Sequence, residues 1–172
     1  TLQSNTASRN GGAAYLEAGT LNISDGTLQQ NSASQNGGAV YLGGGTLTLT
    51  GGTLQQNSAI NGGAAYVDGG SIDLQQATFS QNTASQNGGA VAVNNGNFTM
   101  TGGLLENNST QNGSGGGLYV SSTTSDVDVM IYSGVLQGNS SAVNGGALAV
   151  VGDPDSTSDI TVQIGVNKHH LD

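Results

Sequence analysis

The chain has 172 residues, 30 of them Gly and 18 Asn, with no Cys, no Trp and a net charge of −9 from eleven acids against two bases. That balance argues against nucleic acid, because neutralising phosphates needs clustered Lys and Arg and only Arg9 and Lys168 are present. No run approaches 18 apolar residues, so no helix of this segment is expected to span a membrane, and without Cys no disulfide can staple the fold. From its first residues the chain repeats itself. The string Asn-Gly-Gly-Ala begins at Asn10, Asn36, Asn61, Asn87 and Asn144, with a degraded copy at Ser114-Gly115-Gly116-Gly117. The first Gly of each pair falls at 11, 37, 62, 88, 115 and 145, in steps of 26, 25, 26, 27 and 30. A second register keeps step with it: LQSN ending at Asn5, LQQN at Asn31 and Asn57, FSQN at Asn82, LENN at Asn108 and LQGN at Asn139.

Taken in chain order, each unit holds three short pieces whose apolar residues alternate, the mark of strands with one buried face. The first piece supplies the inward columns Ala14, Val40, Ala65, Val91, Leu118, Leu148 and Leu16, Leu42, Val67, Val93, Val120, Val150. The second supplies Leu21, Leu47, Ile72, Phe98, Val129 and Ile23, Leu49, Leu74, Met100, Ile131. Leu2, Leu28, Leu54, Phe79, Leu105 and Leu136 form the column of the third. Three-strand coils of roughly 25 residues that stack like on like predict an all-β fold, a parallel β-helix or β-solenoid of about six coils. The expected layout is a single solenoid segment over 1–172, six coils over about 1–150, then a final partial coil and tail over 151–172. Val162, Ile164 and Val166 still alternate, which places the partial coil there.

Asn5, Asn31, Asn57, Asn82, Asn108 and Asn139 recur at a strand end, where the coil must turn. Asn tolerates positive φ and its amide both donates and accepts, so this column is expected to form a ladder of stacked amides at the corner. Asn10, Asn36, Asn61, Asn87 and Asn144 mark another turn.

The segments Phe79-Ser80-Gln81-Asn82 and Gly88-Gly89-Ala90-Val91 resemble the FxxN and GGA[ILV] repeat of polymorphic outer membrane proteins, surface-displayed bacterial adhesins of autotransporter type. The other copies place Leu where the family has Phe, and the resemblance runs over about residues 1–150. It implies a right-handed parallel β-helix, exported and displayed on a cell surface or secreted, with adhesive or structural work. The expected partners are other copies of the chain, neighbouring coils of a longer chain, or a host receptor or glycan.

Polysaccharide-processing enzymes share this fold class, and their chemistry sets demands on the titratable residues. A lyase needs a base facing the groove, and Arg9 and Lys168 stand at opposite ends. A hydrolase needs a convergent carboxylate pair. Asp73 is alone in its column, Glu17 and Asp68 are two coils apart, and Glu106 replaces a Gln or Ser of its column. The adjacent His169 and His170 lie in the tail. No catalytic residues and no required cofactor are expected.

Two surface features remain. Tyr15, Tyr41, Tyr66 and Tyr119 occupy one outward column, interrupted by Ala92 and Ala149. Strict alternation would set beside them an outward strip of Ala13, Ala39, Ala64, Ala90, Gly117 and Ala147, an easily desolvated surface for another chain or a sugar. Stacked rings that merely support the sheet are the plainer reading of the same column. The second feature is acidic: the fifth and sixth coils are enlarged by loops bearing Asp126 and Asp128 and Asp153, Asp155 and Asp159. These loops are expected to touch, either as solvated acids or as a weak calcium site, since Ca²⁺ takes six to eight oxygens.

Thr1 begins inside a repeat strand, which reads as an excerpt of a longer extracellular fibre or as an end that stacks on other copies. The expected function is a non-catalytic structural or adhesive β-solenoid. A self-assembling filament subunit is the alternative, and a polysaccharide-processing enzyme the remote one.

Overall fold

Residues 1–165 are described by a computed structural model; Val166, Lys168, His169, His170 and Asp172 lie outside the described residues. One circuit of the chain is made by Leu2–Gln3, Thr6–Ala7, Ala14–Leu16 and Thr20–Ile23, and the same sequence of strands recurs coil after coil. Corresponding strands of successive coils pair in parallel and stack into sheets A, B, C and D of six, five, six and six strands. The result is an all-β solenoid of about six turns with roughly 26 residues per turn. Among the described residues there is no helix, and no segment is long and apolar enough to be a membrane-crossing helix.

The columns read from the repeat are the pairing registers. Leu28 aligns with Leu54, Val40 with Ala65, Ile72 with Phe98 and Phe98 with Val129. The interior is a narrow stack of Leu, Val, Ala and Ile in which Phe79 and Phe98 are the largest fully buried side chains. No coil holds a core of its own; each buries its apolar residues against those above and below.

Three features depart from the expected coil. Sheet B adds a fourth strand of two residues, such as Ser58–Ala59, between the third expected strand of one repeat and the first of the next. Ile160–Ile164 pairs with Val127–Ile131 and so closes the sixth coil, where a further partial coil was expected. The small-residue strip is the third correction: Ala39, Ala64 and Ala90 are fully buried members of the core. The backbone explains it. The N–H groups of Ala39 and Val40 both donate to the carbonyl of Ala64, each at 2.9 Å. Ala64 and Ala65 do the same to Ala90. Two residues facing one acceptor make a bulge, which breaks the alternation and turns two consecutive side chains inward.

The corner between sheets A and B carries the expected amide ladder. Asn31, Asn57, Asn82 and Asn108 are buried. Each Oδ1 accepts the backbone N–H and the Nδ2–H of the Asn one coil earlier, as Asn82 Oδ1 does from Asn57 at 3.0 and 2.9 Å. Each Nδ2 also donates to a strand carbonyl of the preceding coil, Asn82 to Leu54 at 2.9 Å. The side-chain amide is thereby saturated: two bonds at oxygen and two at nitrogen. Positive φ falls one residue earlier than expected, on Ser4, Gln30, Gln56, Gln81 and Asn107, all near 55°, and on Gly138. At the opposite turn the second Gly of each pair is held by close approach of coils. A Cβ on Gly63 would overlap the carbonyl oxygen of Gly89.

Candidate functional site

Sheet C turns every second side chain away from the core. Ala65 and Val67 are fully buried while Tyr66 between them stands outside, and Tyr41 aligns with it in register. Tyr15 and Tyr41 stack with ring centroids 5.1 Å apart and planes 5° apart; Tyr41 and Tyr66 stack at 5.7 Å and 4°. The stack hides its own middle. Tyr41 is 9% exposed against 55% for Tyr15, which caps the column. Parallel rings at these distances are set by the rung spacing of the sheet, about 4.8 Å.

The hydroxyl ends are tied together across coils. Tyr41 donates to Asp68 Oδ2 at 3.4 Å, Asn94 Nδ2 donates to Asp68 Oδ1 at 3.2 Å, and Ser121 Oγ donates to Asn94 Oδ1 at 3.3 Å. Burial pushes the Tyr66 phenol up to about 12, and the Asp68 charge adds to it. Burial raises Tyr41 in the same direction, again with Asp68 behind it. Both hydroxyls therefore remain protonated donors through the neutral range. In register the column continues Tyr66, Ala92, Tyr119 and Ala149, so two rungs lack a ring.

The other sheets present different outer faces. Sheet A shows Gln and Glu, with Gln55 donating to Gln29 at 2.8 Å and Gln137 to Glu106 at 3.1 Å. Sheet D shows short polar side chains, where Thr46 and Ser71 are in contact at 3.2 Å and Asp73 accepts from Gln75 at 2.9 Å. Asp73, Glu106 and Asp68 are each engaged by neutral amides on different faces of the coil.

The two acidic loops do lie side by side. Ser156 Oγ donates to the carbonyl of Thr123 at 3.2 Å, and the Asp159 N–H donates to Asp126 Oδ1 at 2.9 Å. The carboxylates weighed above for calcium are engaged locally. Asp126 and Asp153 accept loop backbone N–H groups, and among the described residues no three acidic, His or Cys side chains converge as a metal site. Asp128, Asp155 and Asp159 are exposed.

The second Asn column is half a ladder. Asn61 Nδ2 donates to Asn36 Oδ1 at 3.0 Å, and the Asn87 N–H donates to Asn61 Oδ1 at 3.2 Å. Its side chains stand beside the tyrosine column at the edge of sheet C, where the buried ladder is remote.

Residues 76–94 match the family model of the Chlamydia polymorphic membrane protein (Chlamydia_PMP) repeat. The matched stretch covers Phe79 to Asn82, the Gly88-Gly89 turn and the strand Val91–Asn94, the segments on which the resemblance was drawn. Comparison of the chain with curated proteins and with solved structures returns no match.

Proposed function

We propose that the chain is a non-catalytic β-solenoid displayed at a cell surface, and that its work is contact made by the tyrosine face of sheet C. The observation that carries this reading is the ring stack of Tyr15, Tyr41 and Tyr66 standing outside the core. Rings already ordered by stacking have little rotamer freedom left to lose, so contact with Tyr15 and with the outer edges of Tyr41 and Tyr66 comes at low entropic cost. On sheet A a partner would instead have to compete with the bonds of Gln55 to Gln29 and Gln137 to Glu106. The match of residues 76–94 to a membrane-protein repeat supports surface display. A solenoid suits it, because adding coils lengthens the rod while repeating the same face.

The partner is a host receptor, a glycan or a second copy of the chain. Beads coated with the protein and washed over cultured cells test the reading. Wild-type beads adhere, and the Tyr41→Ser/Tyr66→Ser double variant loses most adhesion while keeping its β-type circular dichroism. Equal adhesion by the folded double variant would reduce the column to a structural support and overturn the reading.

A further inference from the structure

Asp-Gly occurs in the chain at Asp25-Gly26 and Asp68-Gly69, and Asn-Gly opens the Gly pair of the repeat at Asn10, Asn36, Asn61 and Asn87. All of these bonds share one latent reaction. The Gly nitrogen attacks the carbonyl carbon of the preceding side chain and closes a succinimide ring, which a residue without a side chain obstructs least. In open peptides Asn-Gly closes faster than Asp-Gly, since a carboxylate must first be protonated.

The fold treats these bonds differently. Asp25 stands on the corner between Thr20–Ile23 and Thr27–Gln29, and the Gly26 nitrogen lies 2.6 Å from its Oδ1. Both residues are exposed, and nothing lies within 4 Å of the place a Gly26 Cβ would take. Nucleophile and carboxyl are side by side, with room for the ring and for water to open it. At the other Asp-Gly the Gly69 N–H donates to the Asn94 carbonyl at 3.1 Å, and Tyr41 and Asn94 hold the Asp68 carboxylate. The Asn-Gly bonds are locked in the same way. Gly11, Gly37, Gly62 and Gly88 are buried, and their N–H groups donate to the carbonyls of Asn36, Asn61, Asn87 and Ser114 at 3.0, 2.9, 2.9 and 3.0 Å. The side chains are tied to the next coil as well, Asn36 Oδ1 by Asn61 Nδ2 and Asn61 Oδ1 by the Asn87 N–H. Ring closure at these positions requires the coil to open first.

We propose that Asp25-Gly26 is a site of spontaneous isoaspartate formation, and that hydrogen bonds between coils spare Asp68-Gly69 and the buried Asn-Gly bonds. The Gly26 nitrogen attacks Asp25 Cγ and the C–N bond forms. One carboxyl oxygen departs as water, taking the proton of the nitrogen and that of the carboxyl. Water then adds to either carbonyl of the imide and breaks its bond to nitrogen. One opening restores aspartate; the other carries the main chain through Cβ and lengthens it by one methylene. The charge is the same in both products. The longer link enters beside the Gly26 carbonyl, which accepts the Thr53 N–H at 2.9 Å where the first coil pairs with the second.

The test is to age the folded chain in heavy-oxygen water at near-neutral pH, then digest it and follow each peptide by mass and by isoaspartate methylation. Each passage through the imide leaves one heavy oxygen. The Asp25 peptide should take up label and split into two forms, about tenfold or more ahead of the Asp68 peptide and of those bearing Asn36 and Asn61. In urea the two Asp-Gly bonds should react alike and the Asn-Gly bonds should lead. Asp25→Glu keeps the charge but would need a larger ring, so the isoaspartate signal of that peptide should vanish. No uptake at Asp25, equal uptake at Asp25 and Asp68 in the folded chain, or Asn36 and Asn61 reacting ahead of Asp25 there, overturns the proposal. A lead of Asp25 over Asp68 that persists in urea overturns it too, because the order would then come from local sequence.

Discussion

Asn82 Oδ1 accepts two hydrogen bonds from Asn57, one from its backbone N–H at 3.0 Å and one from its Nδ2 at 2.9 Å. Both residues are buried, so water cannot replace either bond. Replacing Asn82 with Leu would strand both donors of Asn57 and the Leu54 carbonyl together. At about 1–3 kcal/mol per orphaned group, the loss should reach about 3 kcal/mol or more. Asn36→Ala, at the half-buried second column, removes an acceptor for Asn61 alone and should cost about 0.5 kcal/mol. Urea unfolding midpoints of the two variants decide it; equal losses would mean that the ladder is not what secures the corner.

Gln56 precedes the ladder residue Asn57 and holds φ at 55°. A non-Gly residue in this region costs about 1–2 kcal/mol, and a β-branched one more. Gln56→Gly should therefore leave stability unchanged or slightly raised, part of the relief being offset by greater freedom in the unfolded chain. Gln56→Val should lower the melting temperature. The opposite order would contradict the left-handed corner.

Gly63 is fixed by neighbours. A Cβ there overlaps backbone of the next coil, whereas at Gly152 nothing lies within 4 Å. Gly63→Ala should abolish soluble, folded protein and Gly152→Ala should melt like the wild type. A folded Gly63→Ala variant with an unshifted melt would show that the coils are not packed backbone on backbone at this turn.

How much of this was legible in the residues depends on what the repeat preserves. Columns such as Leu28, Leu54, Phe79 and Leu105, or Asn57 and Asn82, keep their place because a constant period carries register directly into pairing. Ala39 was misplaced because counting by twos runs straight through a bulge that no residue type announces. The left-handed position was assigned to Asn57 because Asn favours it; the structure puts it on Gln56, where the demand of the corner overrides the residue's preference.

The stacked phenols set a pH limit. Tyr66 ionises at about 12 in the folded state against about 10 when unfolded. A raised pKa keeps the folded state neutral while the unfolded chain already gains by ionising, so this contribution is complete below pH 10 and declines as pH rises to about 12. Ultraviolet phenolate titration should show late-titrating phenol, and urea midpoints should fall over the same interval, less steeply in Tyr66→Phe. Complete phenolate formation by pH 10.5 in the folded protein would contradict the buried stack.

The most direct test asks which face touches a partner. A photoreactive phenylalanine analogue is placed singly at Ser121 on sheet C, Gln55 on sheet A and Thr48 on sheet D, on protein bound to cells. Crosslinking to cell-surface material from Ser121, with little from Gln55 or Thr48, is the predicted result. Crosslinking from Gln55 or Thr48 that equals or exceeds that from Ser121 would contradict the assignment of contact to the tyrosine face.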